Sequence, residues 1–183
     1  MNVLRTILTI EACALGIAVA WGYAADIRWW EALGFPWAAL LGLPAGLVLM
    51  AVSTAAARLA GDRVSFLDDL MAPLFRRVGL PEIALAAGAS GFAEEALFRG
   101  VMQPLWGNLA TSVIFGVLHT GRRDLLVLGP WAAAASLLLG WLYTTSGTLW
   151  CPILAHTANN FASMVYLRYF HPGHNPAEPV SME

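Results

Sequence analysis

Lysine is missing from this chain of 183 residues; all ten of its basic residues are arginines. Charge of either sign is scarce, at 12% of residues, where a soluble domain carries roughly a quarter. With 58% hydrophobic residues and a mean hydropathy of +0.64, that scarcity excludes an ordinary soluble domain and reads as a membrane protein. A net charge of −2 and the lack of any long basic run exclude a nucleic-acid partner. Only two cysteines occur, Cys13 and Cys151, far apart and outside any C-x-x-C motif, so they read as unpaired thiols in apolar segments. No H-E-x-x-H motif is present, and the usual sequence signature of a zinc hydrolase goes with it. No internal repeat or low-complexity tract divides the chain. The first apolar run lacks a small-residue cleavage site with a soluble domain behind it, and it reads as a retained span rather than a signal peptide.

What the chain has is apolar runs of spanning length, roughly 20 residues each at about 1.5 Å per residue. Residues 3–24 make the first, interrupted by Glu11 and closed by Trp21 and Tyr23, which suit an interfacial belt. Glu11 is a weak candidate, since one acid near a helix end is more often solvated or paired. The loop 26–34, with Trp29 and Trp30, is again interfacial in character. A second span, 35–57, holds Pro36 near its start and Pro44 inside, which predicts a kink. Over 58–80, Arg58, Asp62, Arg63, Asp68, Asp69, Arg76 and Arg77 alternate with Phe66, Leu67, Leu70, Leu74 and Phe75. That is the pattern of an amphipathic helix at the membrane surface.

The third span, 81–103, opens with small residues from Ala84 to Gly91, which permit close helix approach and place it centrally. Pro104 and Gly107-Asn108 mark a turn after it. A short fourth span, 109–119, ends before Gly121-Arg122-Arg123-Asp124. A fifth, 125–145, has no ionisable group and reads as scaffold; a sixth, 149–169, carries His156, Asn159 and Asn160. The tail 171–183 is polar and proline-rich, expected to be disordered, with His171 and His174 solvated. The expectation is an all-α polytopic transmembrane bundle of about six spans plus an amphipathic surface helix. It divides into N-terminal spans and surface helix over 1–80, a helical core over 81–170, and the tail. With Arg5, Arg58, Arg63, Arg76, Arg77, Arg122, Arg123 and Arg168 inside, only Arg28 and Arg99 fall on the other half, which puts both termini in the cytoplasm.

Three spans carry groups that lipid tolerates poorly. A charge at bilayer depth costs at least ~2.5 kcal/mol on insertion scales and usually marks function. On a helix Glu95 and Arg99 stand at i,i+4 and can pair, while Glu94 points about 100° away, with no partner at that spacing. His119 follows Phe115 by one turn, and His156 and Asn160 share a face. Counted from the expected outer helix ends, Glu94, His119 and His156 lie about 14–17 Å deep, which allows one shared site. A free carboxylate helped by a histidine can take a proton from water, and a second histidine with an amide can donate to an oxyanion. Glu94, His119 and His156 would also serve as a zinc set, and spacing alone does not decide. The alternatives are polar residues that merely bridge helices, a transporter or proton relay, and a non-catalytic immunity or scaffold protein. Against a transporter, there is no inverted repeat of broken helices.

These motifs resemble the CPBP membrane proteases, which include the CAAX prenyl endopeptidases and bacteriocin-processing relatives. E-E-x-x-x-R is matched by Glu94 to Arg99 with Gly100 following, F-x-x-x-H by Phe115 to His119, and H-x-x-x-N by His156 to Asn160. The third sits in the typical context Leu149-Trp150-Cys151-Pro152-Ile153-Leu154-Ala155, and the match covers 81–161. The resemblance implies an intramembrane endopeptidase in which Glu94 activates water with help from His119. His156 and Asn160 would stabilise the oxyanion, and Glu95 and Arg99 would support the site. It implies a glutamate-dependent reaction without a cofactor, zinc being the alternative. The implied partner is a membrane-anchored protein or peptide, cut near its C-terminus within the lipid bilayer. Some bacterial relatives resemble sorting enzymes that remove a short motif, a helix and an arginine cluster. The expected depth and the uncharged turn 103–108 suit an outward-facing site in a bacterial inner membrane.

Overall fold

The computed structural model describes residues 3–60, 71–120 and 128–170. Among them the regular structure is helical throughout. Helix α1 (Val3–Ala24) is followed by two short 3₁₀ turns, Trp29–Leu33 and Trp37–Leu41, and by α2 (Gly42–Ala60). Helix α3 (Leu80–Glu95) runs into a π-helical turn (Ala96–Met102) and on into α4 (Gln103–His119). Helices α5 (Leu128–Ser146) and α6 (Trp150–Tyr169) complete an all-α bundle. Three described stretches, Val3–Ala24, Trp37–Ala56 and Leu80–His119, are long and apolar enough to cross a membrane. The protein is an integral membrane protein, as its composition predicts.

Local chemistry sets where several helices begin and break. Helix α3 starts with Pro81 in its first turn, where a missing N–H costs nothing, and the Gly79 amide donates to the Glu82 carboxylate at 2.7 Å. Helix α2 starts at Gly42, which puts Pro44 in the first turn too. The 3₁₀ turn Trp37–Leu41 runs directly into it, so Pro44 stands next to the change from 3₁₀ to α-helical geometry. Pro104 likewise lies just inside α4, and the chain breaks instead at Gly107, with φ 77° and ψ 167°. A side chain disfavours that backbone region. The chain reverses at Gly107, so residues 80–119 form a hairpin whose positions equidistant from the break face each other.

The small residues of α3 do place it centrally: it lies against α1 on one side and α6 on another, α2 covers α6, and α5 covers α4. At Gly91 a Cβ would lie 3.0 Å from the Thr157 amide nitrogen and 3.1 Å from the Ile153 carbonyl oxygen. At Gly42 and Gly46 it would run into the carbonyls of Cys151 and Ala155 on α6, a small-xxx-small contact. The loop tryptophan Trp29 corrects the interfacial expectation. It is buried, its Nε1 donates to the Ala18 carbonyl at 3.2 Å, and it joins Leu97, Phe98, Val101, Phe115 and Ile153 in the core. Of the surface helix expected over 58–80, residues 61–70 lie outside the described residues. Its described ends are the last turn of α2 with Arg58 and a helical turn over 71–75, where Phe75 joins Val78 and Ile83 in a small cluster. The tail 171–183 and Arg122 and Arg123 also lie outside them.

Candidate active site

The hairpin at Gly107 explains why two residues of one stretch meet. Glu94 lies thirteen residues before the break and His119 twelve after it, and their Oε2 and Nε2 atoms are 3.9 Å apart. That is too long for a direct hydrogen bond. Glu94 Oε2 is buried and has no hydrogen-bond partner. The other carboxylate oxygen, Oε1, accepts from Ser90 Oγ at 3.1 Å. The expectation that Glu94 has no partner on its own helix is therefore corrected: a hydroxyl one turn earlier serves it. Ser90 Oγ in turn accepts from Asn160 Nδ2 at 3.1 Å, which ties α6 to the same carboxylate.

Phe115 accounts physically for the residue four places before His119. Its carbonyl oxygen lies 2.8 Å from His119 Nδ1, and its ring stacks on the imidazole with centroids 4.1 Å apart. A carbonyl only accepts, so Nδ1 carries the proton and Nε2 is left as an acceptor facing Glu94. The same phenyl ring lies edge-on to His156 at 6.1 Å and beneath the Arg99 guanidinium at 5.4 Å. His119 is 40% exposed in its side chain and Glu94 14%, so this pair is the accessible side of the site.

Behind it lies a fully buried ion pair. Glu95 and Arg99 are both 0% exposed, with Nε to Oε2 at 3.1 Å and Nη1 to Oε1 at 3.2 Å, the i,i+4 pairing that the spacing allows. Arg99 Nη2 also donates to the Ser136 carbonyl and hydroxyl, each at 2.7 Å. From Ser136 the bonds continue to Ser112 at 3.0 Å and to Asn108 at 3.1 Å. Helix α5, expected to be plain scaffold, thus supplies the second anchor of the arginine. His156 Nδ1 lies 2.8 Å from Glu95 Oε1. A carboxylate paired with arginine is an acceptor only, so Nδ1–H donates and the ring is oriented through that bond. Glu95 holds both Arg99 and His156.

The structure brings Glu94, Glu95, Arg99, His119, His156 and Asn160 into one cluster spanning α3, the π turn, α4 and α6. It adds Ser90, Ser136, Phe115 and Glu11. The last, 7% exposed on α1, contacts Glu94 and Ser90. Among the described residues no three His, Cys, Asp or Glu side chains form a group that could hold a metal ion. His156 Nδ1 is already committed to Glu95.

Residues 77–162 match the family described as type II CAAX prenyl endopeptidase, Rce1-like. All three motifs fall inside that stretch. The chain is also 34% identical over 98 residues to the uncharacterized protein YpbD of Bacillus subtilis (strain 168), covering 54% of this chain and 52% of that protein. The chain thus spans about half the length of the curated relative it matches. No solved structure matches it.

Proposed function

We propose, from the premise that this chain belongs through residues 77–162 to the Rce1-like family of CAAX endopeptidases, that it is an intramembrane endopeptidase with Glu94 as its base. One observation carries this reading: the buried, unpartnered Oε2 of Glu94 faces His119 Nε2 at 3.9 Å. A water about 2.8 Å from each would donate one O–H to Glu94 and the other to His119, leaving its lone pair for a peptide carbonyl. Glu94 takes the proton as the C–O bond forms. It returns that proton to the amide nitrogen as the C–N bond breaks, giving a carboxylic acid and an amine. Asn160, with a second N–H beyond the one given to Ser90, and His156 donate to the oxyanion. For His156 this requires a proton on Nε2, and the Glu95 carboxylate on Nδ1 compensates the charge of that ring.

The reaction takes no metal in this reading. The substrate is a membrane-anchored protein or peptide, because the cluster is enclosed by apolar helices. Removal of a C-terminal anchor in a bacterial membrane is the finer version. The test is cleavage of membrane-anchored reporters in proteoliposomes. Glu94→Gln keeps the shape and removes the base, so cleavage should fall by about 10²–10⁴-fold with helicity intact. Cleavage at the wild-type rate in that variant overturns the proposal.

A further inference from the structure

Helix α1 lies outside the family-matched stretch 77–162, yet it delivers a carboxyl to the site. Glu11 is 7% exposed, its Oε2 is buried without a hydrogen-bond partner, and its side chain contacts both Glu94 and Ser90. The groups facing it are Glu94 and Ser90 on α3 and His156 on α6. Arg99, the cation of this cluster, is committed to Glu95 and Ser136. Ser90 has one hydroxyl proton, which it gives to Glu94, while its oxygen accepts from Asn160. It cannot serve both carboxyls, so a bond between Glu11 and Glu94 needs a proton that one of them brings. Two carboxylates in contact away from water repel strongly unless they share a proton.

We propose that Glu11 and Glu94 form a carboxylic acid–carboxylate pair sharing one proton, with Glu11 the acid that donates to Glu94 and holds it toward His119. Glu11 is then a positioning residue. Its effect on rate rests on the reading of Glu94 as the base, whereas the pair itself does not. The pair also explains why α1, with no place in the three motifs, lies so closely along α3.

The experiment has two arms on the full chain in lipid vesicles. In the first, infrared spectra near neutral pH are compared between wild type and Glu11→Gln, a near-isosteric change. The carbonyl stretch of a protonated carboxylic acid should be present in wild type and lost in the variant. An absent band in wild type, or one unaffected by the substitution, overturns the pair. In the second arm, Glu11→Leu should lower kcat by roughly tenfold to a hundredfold, the equivalent of one hydrogen bond to a charged group, with KM little changed. Glu11→Gln, which keeps an N–H donor, should recover most of kcat. Equal losses of kcat in both variants would reduce Glu11 to packing and overturn its positioning role. Failure of the infrared arm with cleavage still dependent on Glu94 sinks the pair alone. Wild-type cleavage in Glu94→Gln with the band behaving as expected sinks the endopeptidase reading alone.

Discussion

Arg99 engages three partners at once: the Glu95 carboxylate, the two oxygens of Ser136 and the face of Phe115. Only a planar fork with several donors does this, so lysine is not an equivalent there. Arg99→Met leaves the Glu95 carboxylate buried with only the His156 imidazole for company. Breaking a buried pair from one side costs about 3–5 kcal/mol. Thermal unfolding in detergent should show a large drop in midpoint for Arg99→Met and a smaller one for Arg99→Lys. An unchanged midpoint in both would contradict the structural weight given to this pair. At this scale the sequence exposes what is local. The i,i+4 spacing of Glu95 and Arg99 is readable, and so are the three motifs. Ser136 is not, because it lies in an alanine and leucine run 37 residues from the arginine it anchors. Ser90 is a different case: it stands one turn before Glu94, and the same i,i+4 rule reaches it.

Two glycine contacts fix how the helices stack around the cluster. Gly91 lets α3 approach α6 beside Thr157, and Gly42 with Gly46 does the same for α2 on α6. Gly91→Leu should therefore separate α3 from α6, move His156 and Asn160 away from Ser90 and Glu95, and cost about 1–3 kcal/mol. The expected readout is a lower unfolding midpoint together with lost reporter cleavage. Leucine accepted with full activity would show that the close crossing is not needed. The central place of α3 is legible from its small residues. The start of α2 is not, since nothing in the run 35–57 marks Gly42 as the first helical residue. A proline predicts a kink only when it lies beyond the first turn, and that depends on where the helix begins. The turn after α3 is legible as a region, but the choice of Gly107 over Pro104 follows from which residue bears a positive φ.

For the whole molecule, the distribution of arginines gives an orientation that the helix arrangement can accommodate. With both termini in the cytoplasm, C-terminal fluorescent fusions should be bright in a bacterial host and C-terminal alkaline phosphatase fusions inactive. A fusion in the 26–34 loop should behave in the opposite way. The reverse pattern would place the Glu94–His119 pair nearer the cytoplasmic face. The order of the described helices is readable because each apolar run is bounded by glycine, proline or charge. The contribution of α1 to the cluster is not. Glu11 and Glu94 lie 83 positions apart, and an isolated acid in an apolar run carries no mark of which helix it will meet.

The π turn over Ala96–Met102 lies within the first arm of the hairpin, ahead of the break at Gly107, with Arg99 at its midpoint and all seven residues buried. A π turn accommodates an additional residue that an α-helix of the same span would not. Taking one codon out of 96–102 would let the backbone close as ordinary helix, with better hydrogen-bond geometry. The same loss would turn Glu94 and Glu95 by about 100° against α4. The segment therefore counts residues as well as choosing them. Amino-acid exchange can tune it, but a change of length in either direction dismantles the alignment of both carboxylates with their histidines.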